Sequence, residues 1–149
     1  MEIERKFLIN EIPFSLEKYK KRNIEQAYLS TEPVVRVRKD NDEYYLTYKS
    51  KGLMVREEYN LPLTAESYDH LLAKADGNII TKTRYEIPDK DGLIIELDIF
   101  EGVFKGLCLA EVEFESEAQA LNYEAPAWFG EDVSNSSEYH NSTLSMKKI

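Results

Sequence analysis

Charged side chains recur at every second position through much of this sequence. Glu2, Glu4 and Lys6 share one parity at the start of the chain, and Arg36 and Arg38 repeat the spacing further along. Successive side chains of an extended strand point to opposite faces, so one face of a sheet would be charged. The residues on that face are the acids Glu2, Glu4, Glu58, Glu96, Asp98, Glu111 and Glu113 and the bases Lys6, Arg36, Arg38, Lys49, Arg56, Lys82 and Arg84.

This charged face can be interpreted in two ways. An antiparallel sheet commonly turns one polar face to water, and a single charged strand favours that interpretation. Here, however, like charges stand two residues apart, as in Lys82 and Arg84 or Glu111 and Glu113. Such neighbours repel each other unless a counter-charge lies between them. A sheet that curls into a barrel with this face inward would line a wet cavity with acids and bases, and we therefore expect a ligand there.

The two kinds of charge predict two kinds of binding. A cluster of carboxylates provides the hard oxygen ligands that Mg²⁺ or Mn²⁺ prefers. Arg and Lys bind phosphate oxygens, Arg through two parallel hydrogen bonds and Lys as a compact charge. Phosphoryl transfer depends on positioning and charge neutralisation more than on covalent chemistry. A metal together with a row of bases therefore fits a small-molecule triphosphate.

Eight segments with this alternation are predicted to be strands. Between them lie short turn-like segments rich in Asn, Asp and Gly, which favour hairpins and antiparallel neighbours. We expect an α+β fold whose centre is an eight-stranded antiparallel β-barrel, forming a single domain over residues 1–149. The predicted strands run over residues 2–9, 24–30, 34–39, 43–50, 54–61, 78–87, 93–100 and 108–115.

Helical patterns are expected to flank the barrel. Thr64 is a candidate N-cap for a helix that ends near Gly77, and Ser116 opens a capping-box pattern. A short surface helix is expected over residues 15–22, and a last, weaker helix over residues 139–149. These helices would cover part of the apolar outer face of the barrel.

The net charge limits the classes of partner. With 28 Asp and Glu against 19 Lys and Arg, the formal charge is -9, which opposes a surface that binds nucleic acid. Cys108 is the only cysteine, so no internal disulfide and no cysteine zinc site is expected. No segment has the apolar length of a signal peptide or a membrane span, so a cytoplasmic location without membrane partners is expected. The sequence does not set the oligomeric state, and a homodimer is compatible with it.

The start of the chain, Glu2-Ile3-Glu4-Arg5-Lys6, resembles the ExExK signature of the CYTH superfamily, also called triphosphate tunnel metalloenzymes. The resemblance covers nearly the whole chain, and it implies an eight-stranded antiparallel tunnel that cleaves a phosphoanhydride bond with a divalent metal. Inorganic triphosphate or nucleoside triphosphates are the substrates it favours. The further motifs, in the family's order, are Arg36-Val37-Arg38, Lys49, Arg56-Glu57-Glu58, Lys82-Thr83-Arg84, Glu96-Leu97-Asp98 and Glu111-Val112-Glu113.

Seen beside that resemblance, the charged residues take separate roles. The bases that would hold the phosphates are Lys6, Arg36, Arg38, Lys49, Arg56, Lys82 and Arg84. The acids that would hold one or two ions of Mg²⁺ or Mn²⁺ are Glu2, Glu4, Glu111 and Glu113. The acids that would ligate a second metal, orient water or merely balance nearby bases are Glu58, Glu96 and Asp98. Lys82 is also a candidate proton acceptor, because crowding by cations lowers the pKa of a lysine, and Tyr28 is either its partner or a packing residue.

Other functions remain open at this point. A class IV adenylyl cyclase would use the same tunnel to make cyclic AMP from ATP, and a non-catalytic module would bind polyphosphate or nucleotide without turnover. A β-sandwich with a solvated charged face would have neither role. The C-terminal stretch resembles the family's closing helix, in which Tyr139, Asn141 and Ser142 would face the end of the substrate or simply pack.

Overall fold

A computed structural model describes residues 2–52 and 54–148 of the chain. Within them lie nine β-strands and three α-helices, joined by turns and two longer loops over residues 9–19 and 123–140. The strands are β1 Glu2–Leu8, β2 Lys20–Thr31, β3 Val34–Asp40, β4 Glu43–Lys49, β5 Val55–Arg56, β6 Glu58–Pro62, β7 Asp76–Pro88, β8 Ile94–Glu101 and β9 Cys108–Glu113. The helices are α1 Ala65–Leu72, α2 Glu117–Asn122 and α3 Asn141–Met146.

The strands form one antiparallel sheet in the order β5-β1-β9-β8-β7-β2-β3-β4-β6. Its two outer strands, β5 and β6, are separated by Glu57 alone, so the sheet curls into a nearly closed barrel. The α+β class and the barrel are confirmed, but the count of eight strands is wrong by one. The predicted strand over residues 54–61 is divided because its first part pairs with β1 and its second part pairs with β4.

Strand β2 is longer than predicted, and this removes a predicted helix. Residues Lys20–Asn23 pair with β7, so the surface helix expected over residues 15–22 is wrong. Arg22 stabilises this extension, because its guanidinium lies 2.9 Å from Asp40 and 3.3 Å from Glu86. Ion pairs across three strands outweigh a weak local helix preference there.

The predicted helix caps are largely present. Thr64 Oγ1 accepts a hydrogen bond from the Ser67 N–H at 3.1 Å, but α1 ends at Leu72 and not near Gly77, which lies in β7. Ser116 Oγ accepts from the Gln119 N–H at 3.1 Å at the start of α2. The predicted last helix corresponds to a 3-10 turn followed by α3, and Ile149 lies outside the described residues. No helix in the described part of the chain is long and apolar enough to cross a membrane.

Apolar residues close one end of the barrel. At that end the inward positions of the strands are Val34, Ile80, Phe100 and Leu109, and Leu144 of α3 packs among them. A separate apolar cluster covers the outer face of β1, β8 and β9 beneath α2. Because α3 fills one mouth, the interior of the barrel is a blind chamber.

Gly77 allows α3 to approach the barrel closely. Its φ is +73°, and a Cβ there would lie 2.1 Å from the carbonyl oxygen of Ser145. Gly77→Ala is therefore expected to lower the free energy of unfolding by about 2 kcal/mol or more, through the clash together with the backbone strain. Gly102→Ala is the matched control, because Gly102 has φ +61° and no neighbour within 4 Å of such a Cβ. Equal losses in urea unfolding of the two variants would contradict close packing of α3.

Candidate active site

The chamber inside the barrel has a volume of about 360 Å³, and every strand contributes to its lining. This is the low end of the range of about 300–1,000 Å³ that is usual for small-ligand sites. Eight Lys and Arg residues and seven Asp and Glu residues line it. Every charged residue predicted to face inward is among them except Asp98, and Tyr28 also lines the chamber.

Arg36 and Arg38 form a cationic wall, in which Arg36 is buried and Arg38 is half-buried. Neither guanidinium has a carboxylate within ion-pair distance among the described residues. Arg36 donates to Thr47 Oγ1 at 3.3 Å, and its Nε is buried with no hydrogen-bond partner in the described part of the chain. Burial, together with Arg36 and Arg84, lowers the pKa of Arg38 to about 9. Cations that are shielded from water and have no carboxylate partner are costly, so this wall is suited to an anion.

A carboxylate wall lies on β1 and β9, where Glu4 stands opposite Glu113 in the register. Burial, followed by repulsion from Glu111 and Glu2, raises the pKa of Glu4 to about 8. Burial and the nearby acids Glu2, Glu96 and Glu58 also raise the pKa of Glu113. Burying several carboxylates close together is unfavourable when they are ionised, and such a cluster of hard oxygen ligands is typical of a site for a divalent cation.

Several of the predicted phosphate-binding bases contact the acids instead. Lys49 Nζ lies 3.0 Å from Glu2 and 3.1 Å from Glu58, and Arg56 lies 3.8 Å from Glu2. Lys6 Nζ lies 3.5 Å from Glu111. Within residues 2–52 and 54–148, no three His, Cys, Asp or Glu side chains are gathered as a ready-made metal cage. The oxygens of the acid wall are thus partly occupied by ammonium and guanidinium groups.

Lys82 and Arg84 line the chamber and form a buried ion-pair group with Asp98, which lies outside the lining. Arg84 donates two hydrogen bonds to Asp98, at 2.7 and 2.8 Å, and Lys82 Nζ lies 2.7 Å from the same carboxylate. These bases lower the pKa of Asp98 although its burial opposes them. Burial lowers the pKa of Lys82 to about 7. Asp98 therefore balances two bases, while Lys82 is able to lose its proton near neutral pH.

Tyr28 faces the chamber and is only 3% exposed. In the part of the chain that the structure describes, its hydroxyl has no hydrogen bond to Lys82. The structure thus brings Tyr28 into the same chamber as the predicted proton acceptor without joining the two side chains.

Some chamber residues were missed by the sequence analysis. Arg22 and Asp40 lie at the open mouth, and Asn60 and Tyr45 lie close to it. Parity would have found Asp40, which continues the row of Arg36 and Arg38, but not Arg22, which lies in the segment predicted to be a helix. His140 carried no such signal, since a turn after the barrel brings it to the lining; burial, Lys6 and Arg56 lower its pKa to about 4.

Comparison with known proteins agrees with this geometry. The chain is 36% identical over 148 residues to an inorganic triphosphatase of Nitrosomonas europaea, covering 97% of both chains. It is 33% identical over 147 residues to an inorganic triphosphatase of Acetivibrio thermocellus, covering 96% of this chain and 92% of that one. The crystal structure of an inorganic triphosphatase superposes with a TM-score of 0.74 at 34% identity, covering 99% of this chain and 96% of the other. A model of the CYTH domain matches residues 1–148, and the chain therefore belongs to the CYTH domain family.

Proposed function

We propose that this protein hydrolyses inorganic triphosphate to pyrophosphate and phosphate with the help of Mg²⁺ or Mn²⁺. The observation that carries the proposal is the pairing of two walls in one blind chamber. On one side the buried Arg36 and the half-buried Arg38 have no carboxylate partner among the described residues. On the other side Glu4 stands opposite Glu113, and burial together with nearby carboxylates raises the pKa of both. A polyanion together with a divalent cation would satisfy both walls at once.

The size and closure of the chamber favour inorganic triphosphate over a nucleotide. A volume of about 360 Å³ is small, and Leu144 with its apolar neighbours closes the end near Tyr28. A nucleoside would have to extend through the other mouth, beside Arg22 and Asp40, whose side chains are joined by an ion pair of 2.9 Å. Both relatives named above are inorganic triphosphatases, which supports the same substrate.

The carboxylates fit a divalent metal by their chemistry. Glu2, Glu4, Glu111 and Glu113 would hold it, since they offer the hard oxygens that Mg²⁺ and Mn²⁺ prefer, and burial followed by repulsion from nearby acids raises the pKa of Glu4 and Glu113. When bound, such an ion supplies charge neutralisation to phosphate oxygens. Asp98 is outside this set, because Arg84 and Lys82 take up its oxygens.

The Lys and Arg residues of the chamber have two functions, phosphate binding and proton acceptance. Arg36 and Arg38 bind phosphate oxygens through charge-assisted hydrogen bonds, which supply the counter-charge that no described carboxylate gives them. Arg84 presents a charge fixed by Asp98. Lys82, with a pKa of about 7, takes the proton of the attacking water as the bond to the leaving phosphate breaks. The remaining bases, which would exchange carboxylate contacts for phosphate contacts, are Lys6, Lys49 and Arg56.

A phosphate-release screen tests the proposal. Inorganic triphosphate, ATP, GTP and thiamine triphosphate would each be offered with Mg²⁺, Mn²⁺, Ca²⁺ or a chelator. We expect release from inorganic triphosphate that needs Mg²⁺ or Mn²⁺ and stops with the chelator. Cyclic AMP formed from ATP without phosphate release would favour a cyclase, and metal-dependent binding of triphosphate without any release would favour a sensor. Either result would contradict the proposal.

A further inference from the structure

Asn141, the first residue of α3, reaches back into the chamber. Its side chain is buried and lines the cavity. Its Oδ1 accepts two hydrogen bonds, one from Gln26 Nε2 at 2.8 Å and one from Lys82 Nζ at 3.0 Å. The C-terminal helix thus contacts the candidate proton acceptor directly.

The orientation of this amide is fixed by its neighbours. Lys82 is a donor to Asn141, and Arg38 Nε can only donate, which it does to Gln26 Oε1 at 2.7 Å. Gln26 must therefore donate from its NH₂ group to Asn141, and the carbonyl oxygen of Asn141 must accept from both Gln26 and Lys82. The chain of hydrogen bonds from Arg38 to Lys82 has one consistent direction.

The two hydrogen-bond acceptors beside Lys82 determine where the lone pair of its neutral amine points. A neutral amine has two N–H donors and one lone pair. Asp98 Oδ2 lies 2.7 Å from Lys82 Nζ, and Asn141 Oδ1 lies 3.0 Å away, so both donors of the neutral amine have acceptors. The lone pair is then left for the remaining direction, away from these two acceptors. With Asp98 alone, the amine could rotate and lose this alignment.

Docking of α3 is what delivers Asn141 to Lys82. Asn78 of β7 donates to the carbonyl oxygens of Leu144 at 3.1 Å and Lys147 at 2.7 Å. Leu144 also packs into the apolar end of the barrel. Neither contact involves Lys82, so the docking of the helix and the hydrogen bond to the amine are separable by mutation.

We propose that Asn141 is a positioning residue, which orients the Lys82 amine for proton transfer and makes the C-terminal helix part of the active site. The inference rests on the proposed function in one respect, namely that Lys82 accepts a proton during turnover. The hydrogen bond between Lys82 and Asn141 is present with or without turnover.

Two substitutions at Asn141 should shift the pKa of Lys82 in opposite directions. The charged groups that act on Lys82 are Asp98 on β8, Arg84 on its own strand, Arg38 on β3 and Glu111 on β9. Asn141→Asp adds a carboxylate, which should raise the pKa of Lys82 and move the acid limb of the pH–rate profile up by about one unit. Asn141→Leu removes an acceptor that favours the charged amine, so the limb should move to lower pH. In Asn141→Leu, kcat should fall by about 10-fold to 100-fold with little change in KM.

Asn78→Ala is the matched control. It removes two hydrogen bonds that hold α3 but touches neither Lys82 nor Gln26. We expect it to lower the melting temperature without moving the midpoint of the pH–rate profile. If both Asn141 variants instead lose activity only in proportion to stability, with the wild-type midpoint, Asn141 merely packs and the inference is wrong.

An NMR titration of the Lys82 side chain, followed through its Cε and Nζ resonances, gives a readout that needs no turnover. The titration midpoint should rise in Asn141→Asp, fall in Asn141→Leu and stay unchanged in Asn78→Ala. Absence of phosphate release by the wild-type protein would contradict the proposed function, while these midpoints would still decide the inference. Should Asn141→Leu fail to fold, the isosteric Asn141→Asp is sufficient: a higher titration midpoint for Lys82 supports the inference, and an unchanged midpoint would overturn it.

Discussion

Replacing Lys82 with methionine is expected to lower kcat for triphosphate hydrolysis by about 10²-fold to 10⁴-fold, the contribution typical of a general base. The fold should survive, because methionine has a similar length and Asp98 keeps both hydrogen bonds from Arg84. In the wild-type protein the rate should rise with pH around 7, since burial lowers the pKa of Lys82 to about 7 and only the neutral amine accepts a proton. The residual rate of Lys82→Met should lack this rise. Rates measured from about pH 5 to pH 9 check both points.

Lys82→Arg separates proton transfer from phosphate binding. Arginine keeps the positive charge but stays protonated at all working pH values, so it offers no lone pair. If Lys82 is the base, this variant should bind triphosphate with nearly wild-type affinity in calorimetry and still lose kcat as Lys82→Met does. A Lys82→Arg variant with a wild-type rate would instead make Lys82 a phosphate ligand only.

The barrel was predictable because the pattern that specifies it is local. Alternation in segments such as residues 34–39 shows which side chains share a face, and β3 is found at Val34–Asp40. The errors arise where a partner strand decides the outcome. Glu57 interrupts one strand because the pairing changes there from β1 to β4, and Lys20–Asn23 are extended because β7 lies beside them. Neither pairing can be read from neighbours along the chain.

The membership of the candidate site was predictable for the same reason, but its internal pairing was not. Parity indicates that Lys49 and Glu2 face inward, yet their contact joins residues 47 positions apart and depends on how the barrel closes. Gln26 and Asn141 are neutral, so no charge pattern marks them. The resemblance placed Asn141 at the end of the substrate or in packing, but the hydrogen bonds that link Arg38 to Lys82 through Gln26 and Asn141 could not be read from the sequence.

Ionised Glu4 in the carboxylate wall opposes folding, and this suggests that it is retained for binding. Glu4 is 8% exposed and lies 3.9 Å from Arg56, too far for a strong hydrogen bond. Its pKa of about 8, against an ordinary value of 4.5, means that the folded protein keeps a proton that the unfolded chain loses. Stability should therefore fall as pH rises from 4.5 to about 8.

Glu4→Gln should consequently be more stable than the wild-type protein and yet nearly inactive. At low pH the two should unfold alike, and above about pH 8 the variant should gain on the order of 5 kcal/mol, since the pKa of Glu4 is raised from 4.5 to about 8 and each pKa unit corresponds to about 1.4 kcal/mol. Phosphate release should fall by about 100-fold, the scale of losing one electrostatic group at an active site. Urea unfolding at several pH values, together with melting temperatures measured with and without Mg²⁺, checks the prediction. Mg²⁺ should raise the melting temperature of the wild-type protein more than that of the variant.

Glu58→Gln is the control of opposite sign in the same chamber. Lys49, despite the burial that opposes it, lowers the pKa of Glu58 to about 2, so this carboxylate stabilises the fold at neutral pH and loses its effect as pH falls from 4.5 to about 2. Glu58→Gln should therefore be less stable than the wild-type protein at the alkaline pH where Glu4→Gln is more stable. If Glu4→Gln were also less stable there, with an unchanged response to Mg²⁺, Glu4 would be the structural partner of Arg56 and not a metal ligand. If Glu4→Gln raises and Glu58→Gln lowers the free energy of unfolding, and Glu4→Gln also weakens the response to Mg²⁺, the cation site lies on the β1 and β9 side of the chamber.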